Sequence, residues 1–118
     1  MIALVVLALA VQESDSSVML EAAVDSAPVV QSGPRLIYPL DLLRNGKQGL
    51  VLVQFILDTT GRVERNSIRV IATPHMGFNL AAKEYVAGAV FSPGIFHGRK
   101  VRTLVQFPVV FRIRGGRP

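Results

Sequence analysis

Residues 49–72 read GLVLVQFILDTTGRVERNSIRVIA. Val51, Val53, Phe55 and Leu57 fall on one face of an extended chain, by the two-residue period of a β-strand. Leu50, Leu52, Gln54 and Ile56 fall on the other face, which is also mostly apolar. A strand over Leu50–Leu57 is therefore central in its sheet, or covered by another element. Asp58-Thr59-Thr60-Gly61 reads as a hairpin loop, with Gly61 supplying a positive φ. Arg62 to Ala72 is then the return strand. Its charged positions, Arg62, Glu64, Arg65 and Arg69, predict a more exposed partner.

On the N-terminal side of this hairpin, Leu40 to Asn45 predicts a short helical turn. Pro39 stands where a helix tolerates proline, and Gly46 follows as a terminating glycine. On the C-terminal side, Thr73-Pro74 breaks the strand, with Thr73 a candidate N-cap. A helix is predicted over about Gly77 to Val90. Phe78, Ala81, Ala82, Tyr85, Ala89 and Val90 recur at three- and four-residue spacing and give one apolar stripe. Ser92-Pro93-Gly94 ends it, and Gly98 marks a turn. A last strand is predicted over Val101 to Ile113. Pro108 lies in its middle and cannot donate to a ladder, so the strand is an edge at that point. The order helix, hairpin, helix, strand describes an α+β domain with two helices packed on a three-stranded antiparallel sheet.

The remaining chain divides by composition and charge. Of 118 residues, 13 are Lys or Arg and 8 are Asp or Glu. Residues 1–33 contain four acids, Glu13, Asp15, Glu21 and Asp25, and no base, whereas residues 34–118 carry a net charge of +9. This places a boundary near Gly33-Pro34. Residues 1–11 form an apolar run, expected to be a remnant of a signal or membrane anchor. Residues 12–33 are read as an acidic flexible linker, 34–114 as the domain and 115–118 as a frayed tail. No run reaches the roughly 18–20 apolar residues of a membrane-spanning helix.

Chemistry is sparse. The absence of Cys removes disulfide frameworks, zinc fingers and thiol nucleophiles. His75 and His97 alone leave little room for a histidine-based metal site. Asp58 is at a hairpin tip, where Asp forms turns, and His75 reads as a surface or capping residue. Phe91, Phe96, Phe107 and Phe111 read as core. No local motif joins Ser, His and acid, so neither an enzyme nor a cofactor is expected. The basic residues are scattered and the aromatics few, which argues against nucleic acid. The last strand carries the remaining function class, since an exposed edge accepts an extended peptide by strand addition. The alternative is an edge that pairs with a second copy in a homodimer.

Taken in order, Tyr38-Pro39, Gly49–Phe55 (GLVLVQF), Asp58–Val63 (DTTGRV), Ile68–Val70 (IRV), Ala81-Ala82, Phe91–Gly94 (FSPG), Gly98–Val101 (GRKV) and Val105–Phe111 (VQFPVVF) resemble the C-terminal domain of the TonB energy-transducer family. The resemblance spans roughly residues 34–113. It implies a periplasmic domain, anchored to the inner membrane through its N-terminus. Such a domain captures the TonB box of outer-membrane TonB-dependent receptors at its last strand. An ExbB/ExbD-like inner-membrane complex then couples proton-motive force to uptake of siderophore- or cobalamin-type nutrients. Carried over by position, the expected contact residues are Arg35, Leu36, Ile37, Tyr38 and Pro39 before the first helix. On the last strand they are Arg102, Leu104, Val105, Gln106, Phe107 and Val109. Family transducers carry a membrane helix with a functional His and a long Pro-rich linker. Met1–Val11 has no His, and residues 12–33 hold only Pro28. The alternative reading is accordingly a stand-alone periplasmic module that binds protein without energy coupling.

Overall fold

The computed structural model describes residues 17–114. The expectations for Met1–Val11, the start of the linker and the tail after Arg114 lie outside the described residues.

The centre of the fold is the predicted hairpin strand, here β3 (Gly49–Leu57), preceded by β1 (Met19–Leu20) and β2 (Val30–Ser32). Val51, Val53, Phe55 and Leu57 are completely buried, and the alternate face is half-buried or exposed. The two-residue period thus sorts this strand's side chains between core and outer face. Helix α1 (Leu40–Arg44) follows Pro39 and buries Leu42. Gly46 ends it at φ +67°.

The return strand is shorter than its sequence predicts. Val63 makes a single bridge to Leu57, residues 65–67 form a 3₁₀ turn, and only β4 (Arg69–Ala72) forms a ladder with β3, with a register shift between Leu52 and Val53. Ser67 explains the interruption. Its hydroxyl donates to the Glu64 carbonyl (2.6 Å) and accepts from the Ile56 amide (2.8 Å). A side chain thereby takes the place of a ladder bond and allows the turn.

Helix α2 (Asn79–Gly88) buries Ala82 and Val86. Its N-cap residue, Phe78, makes no side-chain cap bond, and the cap lies one turn earlier, on the 3₁₀ turn Met76–Phe78. The side chain of His75, not Thr73, accepts the Gly77 amide (3.0 Å), while the Thr73 hydroxyl donates to the His75 carbonyl (2.9 Å). β5 (Val90–Phe91) follows. The predicted last strand starts two residues late, at Thr103, because Val101 belongs to a preceding ribbon. β6 (Gly94–Phe96) and β7 (Arg99–Val101) make a ribbon turned at His97 (φ +53°) and Gly98 (φ +76°). Two consecutive positive φ values suit a two-residue hairpin turn. β8 (Thr103–Phe111) pairs antiparallel with β3 over nine residues, Gly49↔Phe111 to Leu57↔Thr103.

Among the described residues the main sheet therefore has four strands, in the order β1–β8–β3–β4, not three, and β2–β5 and β6–β7 are separate two-stranded ribbons. The additional strand comes from the segment read as linker, which lies along the domain from Ser17 onward. Its pairing rests on main-chain bonds with little apolar burial (Leu20 is 60 % exposed), so no hydrophobic period announces it.

The core lies between the β3–β8 face and α2. Phe78 stacks on Phe111 with centroids 4.3 Å apart, and Phe91 packs on Phe55 at 5.3 Å and edge-on to Phe107 at 5.4 Å. Phe96 stands apart, half-buried and stacked on His97.

A candidate strand-binding edge

β8 has β3 along one side. Along the other, β1 reaches only Thr103 and Leu104. In an antiparallel ladder, successive residues turn their N–H and C=O groups alternately toward and away from the partner. The Gln106 amide donates to the Glu21 carboxylate (3.2 Å), away from β3. Leu104, Gln106, Pro108 and Val110 therefore present their main chains outward, and Val105, Phe107 and Val109 bond to β3. Pro108 occupies an outward position, so its missing donor costs no bond to β3.

This parity divides the expected contact residues. Val105 and Val109 are 2 % and 3 % exposed and belong to the core. Phe107 is half-buried, stacked on Tyr85 at 6.5 Å. Leu104 is half-buried and Gln106 exposed; the Gln106 side chain donates to Gln54 (3.3 Å). Arg102 is held by a two-pronged ion pair with Glu64, with both N–H···O distances 2.8 Å. A proline or acidic residue at Val105 would break the core and the β3 ladder together, so the outward positions are the ones that report on strand addition.

The stretch before α1 is positioned by Tyr38. Its hydroxyl donates to the Lys47 carbonyl, and its ring meets Phe78 and Phe111 edge-on at 5.9 and 5.5 Å. Leu36 also packs on the core. Pro34, Leu36, Tyr85, Phe107, Pro108 and Val110 line a shallow groove of about 440 Å³. Here the two predicted regions meet, at the far end of the open edge. Arg35 and Ile37 do not join it. They line a neighbouring depression with Ala81 and Glu84. Pro39 serves as the N-cap residue of α1.

The sequence reading missed Tyr85 and Glu64 as neighbours of this edge. Tyr85 was legible only as part of a helix stripe. Glu64 lies 38 residues before Arg102, with no local motif to join them.

The hydrogen bonds from Arg102 hold the Glu64 carboxyl below its ordinary range, against the opposing effect of burial. At Asp58 burial acts upward, but donation from the Thr60 hydroxyl and from the Arg62, Thr60 and Gly61 main chain outweighs it and lowers the carboxyl. A carboxyl lowered by folding stabilises above its unfolded pKa, and that contribution is lost as pH falls through the folded value. The denaturation midpoint is expected to be flat from pH 7 to about 5 and to fall below about 4. Glu64→Gln should make the fall shallower. The Glu64–Arg102 pair is about a third exposed, so its share is at most about 1 kcal/mol. Urea denaturation across pH checks this.

Among the described residues no group of His, Cys, Asp or Glu could hold a metal ion, and no helix is long and apolar enough to cross a membrane. The site offers outward main-chain groups beside an apolar groove, an arrangement that suits an extended peptide.

Comparison with known proteins bears on this site. A family model described as the Gram-negative bacterial TonB protein C-terminal matches residues 34–113. Among solved structures, the solution NMR structure of the Pseudomonas aeruginosa TonB C-terminal domain is similar, with 25 % identity and a TM-score of 0.56. The match covers 79 % of this chain and 93 % of that one. No curated protein matches this sequence.

Proposed function

This chain belongs to the TonB C-terminal domain family, and from that premise we propose that it is a periplasmic domain that captures the TonB box of outer-membrane receptors by strand addition at β8. The observation that carries the reading is the outward main chain of β8 from Leu104 to Val110, continuous with the groove at Leu36 and Tyr85. Four or five ladder bonds at a net ~1 kcal/mol each, with apolar contacts in the groove offsetting the ordering of the peptide, correspond to a Kd of roughly 0.2–1 mM. The positive charge of residues 34–118 speeds encounter with acidic peptides. Coupling to an ExbB/ExbD-like inner-membrane complex, and through it to uptake of siderophore- or cobalamin-type nutrients, runs in this reading through the chain N-terminal to Ser17.

Isothermal titration of the full chain with synthetic peptides from receptor N-termini tests capture. Saturable binding in the stated range is the expected result. No binding at millimolar peptide by a folded protein contradicts it.

A further inference from the structure

We propose that Met19–Glu21 is a built-in competitor for the outer edge of β8, a strand of the chain's own that an incoming receptor peptide has to displace. The inference rests on the strand-capture reading above. Three observations on this edge carry it. The Met19 amide donates to the Arg102 carbonyl (2.9 Å), and the parallel register Met19↔Thr103, Leu20↔Leu104 carries the ladder onward. After Leu20 the chain leaves the edge in a 3₁₀ turn, and the Glu21 carboxylate accepts the next outward amide, that of Gln106. The following outward position is Pro108, which has no amide to offer. The outward donors ahead of the proline are thus engaged by the chain itself.

The hold is built to be released. β1 is two residues long, and Leu20 is 60 % exposed, so few apolar contacts resist its departure. The rest of the segment is fastened elsewhere. The Asp25 amide donates to the Ile95 carbonyl (2.7 Å), the Asp25 carboxylate accepts the His97 amide (2.7 Å), and the Ser92 amide donates to the Val29 carbonyl (2.8 Å). Met19–Glu21 can leave β8 while residues 25–32 stay docked, with the extended Val24 between them as the swing point. A tethered competitor acts at high local concentration. It lowers apparent peptide affinity by the fraction of time the edge is open. The short β1 ladder and one exposed carboxylate bond, less the entropy of ordering Met19–Glu21, set a factor of roughly three to ten.

The test compares the full chain with its Met19→Pro/Glu21→Ala variant, using one synthetic receptor N-terminal peptide. Without peptide, the Leu104 and Gln106 amides should exchange with solvent faster in the variant, while those of Val105 and Phe107, bonded to β3, stay protected. With peptide, the variant should bind three- to tenfold more tightly. Equal affinity in the two proteins, or equal exchange at Leu104 and Gln106, overturns the inference. Binding to neither protein overturns it by a different route, since strand capture itself then fails, and the exchange data separate the two cases.

Discussion

Gln106→Pro is expected to weaken peptide capture tenfold or more while leaving the domain folded. The Gln106 amide points away from β3, so proline removes no bond from the β3–β8 ladder. The preceding residue, Val105, is already extended, the conformation that proline imposes on its predecessor. Pro108, two positions on and of the same parity, shows that this strand accommodates the ring. The substitution also forfeits two exposed bonds, from the Gln106 amide to Glu21 and from its side chain to Gln54, and the total cost to stability should stay near ~1–2 kcal/mol. A docked peptide, in contrast, loses a central ladder donor and meets the proline ring where its own backbone would lie. Calorimetric titration reads the loss, and a thermal melt confirms the fold. Unchanged affinity in the folded variant would place the peptide elsewhere. The same change at Val105 is uninformative, because that residue is buried and bonded inward.

Gly61→Ala should have the largest effect on stability. Gly61 has φ +90°, a region that an L side chain occupies only at a cost of about 1–2 kcal/mol. A Cβ there would lie 1.9 Å from the Phe91 carbonyl oxygen. That oxygen is main chain and cannot swing aside. The hairpin tip would have to lift from β5, breaking the Phe91 amide bond to the Gly61 carbonyl (2.8 Å) and the Arg62↔Val90 bridge. Together these amount to about 3 kcal/mol or more, which in a domain of this size lowers Tm by roughly 12–24 °C. Circular dichroism melts check it. A fall equivalent to less than about 1 kcal/mol would show that the turn relaxes freely.

The role of Gly61 was legible in the sequence, because a glycine after Asp-Thr-Thr between apolar strands has few other readings. So was the inner face of β3, where Val51, Val53, Phe55 and Leu57 repeat at the period of a half-buried strand. Both signals are local and carried by side chains. What escaped the sequence is non-local or carried by the main chain. Met19–Leu20 joins the sheet through hydrogen bonds that no residue type encodes. The strand after Asp58 broke where the Ser67 hydroxyl replaced a ladder bond, and Ser is too common to mark such a place. At the candidate edge, Pro108 marked the strand correctly as open there. The parity of β8, however, assigns Val105 and Val109 to the core. Parity follows from the pairing register, which only the nine-residue match to β3 fixes. Leu36 and Tyr85 meet Phe107 because a segment before α1 crosses α2, a tertiary arrangement without a sequence signature.

The central claim is that the outward edge of β8 receives a receptor peptide. Backbone amide NMR on the full chain, titrated with a receptor N-terminal peptide, addresses it most directly. The account predicts shifts concentrated at Leu104, Gln106 and Val110, at Leu36 and Tyr85 in the groove, and at Met19–Glu21 as that segment is displaced. Shifts confined to β4 or to the β6–β7 ribbon, with β8 silent at saturating peptide, would contradict it.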